Sequence, residues 1–396
     1  MVLSGTRLGR LFAFAFVAAP ALAALTFGTM VVSAEGQRSQ SATPTSTVNI
    51  VDTVSGPNFQ AKWKSDWIPA IKKEYGINVV YTVGSGPTLQ QQMLTWKAGQ
   101  PQFTLLFIKG LDLSNMIVGG DKLTTLYPDQ QAAIPNEKYE ATRFLPVNDG
   151  VEIHGKGLIF WRAQFDLVYN SKFVKNPPTT WQQFYDRRAE FKGHIGIIRP
   201  DAGSGGGRAF IYSFLTAFGV DFNKPFAQVQ QEPAWKTAWQ KFADFSKYFA
   251  QPAASSAPVL FHQFQTEQVW ITDYAQDYCL WSASQGALPP TTKAMALDAN
   301  VVGASNAWLA VPSADAPAQK AAAYKVINYL LSPATQNDMV ETMYEYPGTT
   351  SWKQIPATDP LWKKIPPVNE AEAHGVIISN FGAITYIEKQ GMSYMQ

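Results

Sequence analysis

Apolar and polar positions along the first third of the chain follow an alternation of strands and helices. The first apolar run, residues 48–51, predicts a strand. Apolar residues then recur at helical spacing from Phe59 to Tyr75. Two further apolar runs, 77–81 and 103–108, lie on either side of a helix that begins near Pro87. This order predicts right-handed crossovers and a parallel sheet covered by helices on both faces.

A second unit with the same alternation begins near Gly157. The apolar segment 158–170 predicts a long strand, and segment 268–272 predicts another that ends at Asp273. A further strand is predicted at 307–311. The pattern therefore predicts an α/β fold of two lobes, each with a mainly parallel sheet flanked by helices.

The N-terminal segment has the pattern of an export signal. Arg7 and Arg10 precede an apolar run over 11–28, and the small residues Val32-Ser33-Ala34 follow it. We predict a cleaved signal peptide over 1–34 and a periplasmic protein; an uncleaved membrane anchor is the alternative. The predicted segments after it are a flexible lead-in at 35–47, a first lobe at 48–156 with about 295–335, and a second lobe at 157–294 with about 336–396.

Composition narrows the class of protein further. The 396 residues are 46% hydrophobic and 16% charged, which suits a globular chain with a large core. Cleavage after residue 34 would remove two arginines and no acid, so the formal charge falls from +2 to 0. A neutral protein has no general attraction to nucleic acid, so no nucleic-acid partner is expected. Cys279 is the one cysteine, which excludes an internal disulfide, and we expect a monomer.

Two glycine-rich loops are candidates for ligand binding. Gly84-Ser85-Gly86 and the segment 203–207 each lie between a predicted strand and a predicted helix. Backbone N–H groups at such helix starts can bind an oxygen or an anion. Neither loop has the spacing of a nucleotide-binding loop, and a tight turn that needs glycine remains the alternative.

A search for catalytic or metal-binding groups gives little. The four histidines are scattered, and no second cysteine is present, so no metal and no cofactor are predicted. Asp273 and Asp277 could act as an acid and base pair, or they could hold a ligand by hydrogen bonds. A secreted hydrolase that uses Asp273 with a histidine stays open as an alternative.

Three ordered stretches carry a resemblance to a known family. Segment 307–350 contains Val311-Pro312, the helix pair broken at Ser332-Pro333, and Tyr346-Pro347. Segments 167–186 and 73–101 add two more matching pieces. Together they resemble the extracellular solute-binding proteins of ABC importers, family 1. Within that family the C-terminal part is most similar to the polyamine-binding group, although Ala310 stands where that group has a ligand aspartate.

The resemblance implies a solute held between two lobes, hinge closure, and delivery to an ABC permease in the membrane, without catalysis. Asp273 and the aromatic residues favour a polyamine-like cation or a polyol. The glycine loops, with Lys109 and Arg208, favour an oxyanion or a phosphorylated compound instead, and a periplasmic sensor module is a further alternative. The expected solute contacts are Ser55, Ser85, Gly86, Lys109, Trp161, Ser204, Gly205, Asp273, Trp308 and Tyr346.

Overall fold

The computed structural model describes residues 46–120, 122–203, 205–303 and 306–395. The predicted signal peptide and most of the predicted lead-in lie outside these ranges. The strands are β1 Thr47–Asp52, β2 Asn78–Val83, β3 Leu105–Lys109, β4 Val147–Asn148, β5 Val151–Glu152, β6 Leu158–Arg162, β7 Phe165–Asn170, β8 Ile195–Gly196, β9 Ile271–Ala275, β10 Thr292–Met295, β11 Ala307–Ala310 and β12 Tyr346–Pro347.

Helices alternate with these strands, as the sequence predicts. They are α1 Pro57–Lys62, α2 Ile68–Tyr75, α3 Gly86–Met93, α4 Gly110–Val118, α5 Trp181–Asp186, α6 Gly205–Ala217, α7 Phe226–Val229, α8 Pro233–Ser246, α9 Ala257–Gln265, α10 Gln276–Ser284, α11 Pro317–Leu330, α12 Pro333–Met343, α13 Val368–Ala373 and α14 Phe381–Gln390. None of the helices in the described ranges is long and apolar enough to cross a membrane.

The first lobe is built on a six-stranded sheet in the order β12-β6-β11-β3-β1-β2. β1 pairs in parallel with β2 and with β3, which confirms the predicted crossovers. β11 returns antiparallel to β3, so the sheet as a whole is mixed. Trp63 and Trp67 of the helical segment after β1 are buried against this sheet, where their rings contact Phe107 and Phe160.

The second lobe is built on a four-stranded sheet in the order β10-β7-β9-β8. β8 and β9 are parallel, whereas β7 is antiparallel to both of its neighbours. Antiparallel pairings outnumber parallel ones in both sheets, so the prediction of mainly parallel sheets is wrong in detail for both lobes. Rings of Trp181, Phe210 and Phe245 form the centre of an aromatic core beneath α6.

The predicted single strand over 158–170 is also wrong, because it is two strands in different sheets. β6 belongs to the six-stranded sheet and β7 to the four-stranded sheet, so the chain passes between the lobes at Ala163 and Gln164. β6 and β12 fall in the predicted range of the second lobe but pair in the first sheet.

Three passing segments lie side by side and form what we call the hinge. Gly303 N–H donates to Ala163 O over 2.9 Å, and Phe165 N–H donates to Val301 O over 3.2 Å. Val302 N–H donates to Val376 O over 2.9 Å, which adds the third segment. A few backbone hydrogen bonds thus join the segments that link the two sheets.

The broken helix pair in the C-terminal part is a packing corner. α11 ends at Leu330, and Ser332 caps α12, its side-chain oxygen accepting a 3.3 Å hydrogen bond from Thr335 N–H. Pro333 occupies the first turn of α12, where its missing N–H costs nothing. Both helices bury apolar residues against the first sheet, as predicted.

Candidate functional site

The loop after β1 is organised by the buried carboxylate of Asp52. Its Oδ1 accepts hydrogen bonds from Val54 N–H at 2.9 Å and Ser55 N–H at 2.8 Å, and Tyr81 Oη donates to its Oδ2. Burial raises the pKa of Asp52, and the hydrogen bonds from Ser55 and Tyr81 oppose that rise. Asp52 therefore shapes the loop that presents Thr53 and Ser55 at the carboxyl end of β1.

The loops after β2 and β3 meet this first loop. A Cβ on Gly86 would lie 1.8 Å from Asp112 Oδ1, so the carboxylate of Asp112 packs directly against the first turn of α3. Thr53 Oγ1 donates to Asp112 Oδ2 over 2.7 Å. Ser85 occupies the exposed N-cap position of α3 and donates to Thr88 Oγ1 over 2.8 Å, and Lys109 is exposed beside the start of α4. The structure thus brings Ser55, Ser85, Gly86 and Lys109 to one edge of the first sheet.

The second glycine loop leads into α6, and its glycines are required by packing. A Cβ on Gly206 would lie 2.5 Å from the Tyr274 ring, and one on Gly207 would lie 2.0 Å from Ile198 O. Gly205 is the first residue of α6, and Ser204 lies outside the described residues. Helix α6 therefore starts directly against the backbone of the preceding strand segment.

Arg208 follows these glycines and is almost entirely buried, with 5% of its surface exposed. Its Nη1 lies 3.5 Å from Glu388 Oε2, and neither Nε nor Nη1 has a hydrogen-bond partner. A buried guanidinium with unused donors is costly unless something completes its hydrogen bonds.

The charge of Arg208 acts on the pKa of two carboxyl groups of the first lobe. Burial raises the pKa of Asp112, while Lys109 and Arg208 act to lower it. Burial raises the pKa of Asp149 to about 6, again with Arg208 opposing the rise and Glu388 adding to it. The charge of Arg208 in the second lobe therefore reaches Asp112 and Asp149 in the first lobe. The turn that holds Asp149 also touches the helix that carries Glu388, since a Cβ on Gly150 would lie 2.2 Å from Phe381 N at the start of α14. We call Thr53, Gly86, Lys109, Asp112, Asp149 and Arg208 the interlobe site.

Asp149 is held by a tight hairpin turn between β4 and β5. Asp149 and Gly150 have positive φ angles of 48° and 79°, the pattern of a two-residue turn. The preceding Asn148 is anchored, since it donates to Ser114 Oγ over 2.8 Å and accepts from Trp308 Nε1 over 3.1 Å. Asp149 is not among the solute contacts expected from the sequence, although an Asp-Gly pair is a recognised hairpin signal.

The three aromatic residues that were expected as solute contacts are core residues in this structure. Trp308 is fully buried and supports Asn148, and Trp161 stacks on Phe59 with ring centres 3.9 Å apart. Tyr346 donates to Pro366 O over 2.5 Å and is 1% exposed. In this conformation they are packed inside the protein rather than lining an open surface.

Asp273 lies apart from the glycine loop of its own lobe. It is in the middle of β9 rather than beyond its end, which corrects the predicted strand boundary. The neighbouring Tyr274 faces Gly206, and successive side chains of a strand point to opposite faces, so Asp273 points away from α6. Neither oxygen of Asp273 has a hydrogen-bond partner.

Asp273 belongs instead to a group of buried acids. Burial raises its pKa well above the ordinary value, and the nearby charge of Asp166 raises it further. Burial also raises the pKa of Asp277 and of Glu345, and the charge of Asp277 and a hydrogen bond with it raise the pKa of Glu345 further. Burial therefore disfavours the charged form of each of these carboxyl groups.

The acid and histidine pair that a hydrolase would need is not formed by Asp273. His194 instead contacts Gln268 O over 2.7 Å and stacks on Trp270, while His154 lies 3.8 Å from Glu152. Within the described ranges, no group of three or more His, Cys, Asp or Glu side chains could hold a metal ion.

Comparison with known proteins identifies the class. The sequence model of the bacterial extracellular solute-binding protein family matches residues 66–368, so the chain belongs to that family. The α/β fold of two lobes is the type II fold of periplasmic binding proteins, as the resemblance implied. No curated protein sequence matches the chain.

Solved structures of transport proteins share this fold at low sequence identity. A solute-binding protein from Thermotoga lettingae, bound with α-D-tagatose, superposes with a TM-score of 0.69 and 16% identity over 88% of this chain and 95% of that chain. A putative extracellular solute-binding protein from Bordetella parapertussis gives 0.68 and 14% over 88% and 96%. The spermidine/putrescine-binding protein PotD from Streptococcus pneumoniae gives 0.66 and 14% over 89% and 100%.

Proposed function

We propose that this chain is the periplasmic solute-binding subunit of an ABC importer. A small polar solute binds between the lobes, closure about the hinge encloses it, and the closed protein delivers it to the membrane permease. Export by the predicted signal peptide is part of this proposal. The solute is released chemically unchanged, because its binding stabilises the closed conformation of the subunit and involves no reaction.

One observation carries the proposal: Arg208 of the second lobe is buried with unused hydrogen-bond donors, at a place where its charge reaches Asp112 and Asp149 of the first lobe. Polar groups that meet from two lobes, with donors left unused, are what a solute between the lobes would complete. The hinge supports the same view, since a few backbone hydrogen bonds join its passing segments and small φ/ψ changes there can rotate one lobe against the other.

The expected polyamine-like cation loses its main support, because Asp273 points away from the interlobe site. Carboxyl groups for a cation are still available in Asp112 and Asp149, and a guanidinium for an anion is available in Arg208. A polyol would need neither charge. The interlobe site therefore favours a solute that uses charges of both signs.

Protein purified from its own periplasm should carry a small molecule in a one-to-one complex, which native mass spectrometry would detect. After removal of that molecule, adding it back should change the tryptophan fluorescence in a saturable way. Closure would alter the surroundings of Trp281, which belongs to α10 and is partly buried against the core of the first lobe. The Arg199→Met variant, which is altered at an exposed arginine and is purified in the same way, serves as the control.

No bound molecule, together with a flat fluorescence response across polyamines, polyols, sugars, amino acids and phosphate esters, would contradict the proposal. Deleting the gene should also abolish uptake of the identified solute if the chain serves an importer. Unchanged uptake with a lost transcriptional response would instead favour the sensor module.

A further inference from the structure

We propose that the solute is a zwitterion, whose anionic group binds Arg208 and whose cationic group binds Asp112 and Asp149. This inference rests on the proposed function and deepens it by naming the class of solute. It draws on the unused donors of the buried Arg208 and on the positions of the Asp112 and Asp149 carboxyl groups.

The anionic end of the solute would be bound by Arg208. Its side chain is fixed by the first turns of α6, where the helix N-terminus also favours a negative group. Nε and Nη1 have no hydrogen-bond partner, and the 3.5 Å separation from Glu388 is a long ion pair. A carboxylate, phosphonate or sulfonate could accept N–H bonds from these unused donors, and hydrogen bonds between two charged groups are stronger than those between neutral groups.

The cationic end of the solute would be bound by the acids of the first lobe. Asp112 is oriented by the 2.7 Å hydrogen bond from Thr53, and Asp149 is held in the β4–β5 turn. The turn is itself fixed by the bonds of Asn148 to Ser114 and Trp308. Both carboxyl groups therefore have defined positions before a solute arrives, which lowers the entropy cost of binding.

The same charges disfavour the other classes of solute. A diamine would place a cation near Arg208 and leave its buried donors without partners. A dicarboxylate would place a second anion beside Asp112 and Asp149. Each mismatch carries a like charge into a partly buried site, which is how proteins exclude wrong ligands. A zwitterion meets opposite charge at both ends.

Matched probes test the class directly by isothermal titration calorimetry on the solute-free protein. The zwitterion panel contains the standard α-amino acids, β-alanine, 4-aminobutyrate and glycine betaine. For 4-aminobutyrate the matched probes are 1,4-diaminobutane and succinate, which share its carbon chain and differ in charge; 1,3-diaminopropane and malonate match β-alanine. We expect at least one zwitterion to bind at least about 100-fold more tightly than its diamine and dicarboxylate counterparts.

Variants locate the binding at the interlobe site. Arg208→Lys keeps the charge but loses the planar fork, so it should weaken the zwitterion about 10-fold, and Asp149→Asn should weaken it by a similar factor. Arg199→Met is the matched control for arginine, since Arg199 is exposed in the same loop and pairs with Asp201. It should leave the affinity unchanged. Thermal melting of each variant checks that it is folded.

Tighter binding of a diamine, a dicarboxylate or a neutral sugar than of every zwitterion would overturn the inference and leave the proposed function intact. Unchanged affinity in both Arg208→Lys and Asp149→Asn would overturn it too, because the solute would then bind elsewhere. Failure of every panel, with no molecule seen by native mass spectrometry, would overturn the proposed function itself.

Discussion

Replacing Asp166 by asparagine should raise the free energy of unfolding by about 4 kcal/mol near pH 8 and leave it almost unchanged near pH 4. Burial raises the pKa of Asp166 from 3.8 to about 7. The folded state binds the proton of Asp166 more tightly than the unfolded state does. The contribution of this proton to the free energy of unfolding is therefore complete below about pH 4 and is lost as the pH rises to about 7. At about 1.4 kcal/mol per pH unit, the loss amounts to about 4 kcal/mol, and asparagine avoids it.

The asparagine fits the hydrogen bonds already present. Its oxygen can accept from Asn300 Nδ2 and Gln164 Nε2, which lie 2.7 Å and 3.1 Å from Asp166 Oδ1. Its amide can donate to Asn300 Oδ1 or Gln164 Oε1, which have no partner. Urea unfolding at the two pH values measures the effect, with Asp186→Asn, at an exposed carboxylate of α5, as the control. An equal stability gain at both pH values would contradict the burial argument.

Replacing Gly207 by alanine should lower the free energy of unfolding by about 3 kcal/mol. The new Cβ would lie 2.0 Å from Ile198 O and 2.9 Å from Pro200 N, and these are backbone atoms that can move only if α6 moves. The shift would also displace Arg208, one residue further along α6, so solute affinity should fall with stability.

Gly86→Ala is the matched comparison, because it adds the same methyl group to the first turn of α3 in the other lobe. Its obstacle is the carboxylate of Asp112, a side chain that can rotate away. We therefore expect a loss of stability below about 1 kcal/mol, measured by chemical unfolding of both variants. Equal losses in the two variants would show that the α6 glycines are not fixed by backbone packing.

Much of the first lobe could be predicted from the sequence, because its elements have strong local signals. The apolar runs that became β1 and β3 are short and buried on both faces, and the crossovers between them leave little choice of topology. The break at Ser332 and Pro333 is a cap followed by a helix-starting proline, and the structure has that form.

The prediction failed where burial overrides local preference. The strand over 268–272 is predicted to end at Asp273, yet β9 continues through this residue to Ala275, although aspartate is uncommon inside strands. Segment 158–170 has polar residues at Arg162, Gln164 and Asp166, but this alternate spacing also suits one long strand, so it does not reveal that the chain changes sheets at Ala163. The point at which the chain passes from one sheet to the other is determined by the positions of the two sheets.

The candidate site was predicted in part for a related reason. Ser55, Ser85, Gly86 and Lys109 follow from the rule that the carboxyl ends of parallel strands meet at one edge. Trp161 and Trp308 could not be assigned, because strands buried on both faces give no alternation that separates core from surface. Asp112 and Asp149 became candidates only when the structure brought them towards Arg208.

The distance between the lobes, measured with and without solute, tests the central claim most directly. Thr95 of the first lobe and Thr237 of the second are exposed, and the buried Cys279 should remain unlabelled, so spin labels can be attached to cysteines introduced at those two positions. Pulsed electron paramagnetic resonance should show a shorter and narrower distance distribution at saturating solute, while a pair at Thr95 and Lys72, both in the first lobe, stays unchanged. An interlobe distribution that is identical with and without the bound solute would contradict closure of the two lobes around it.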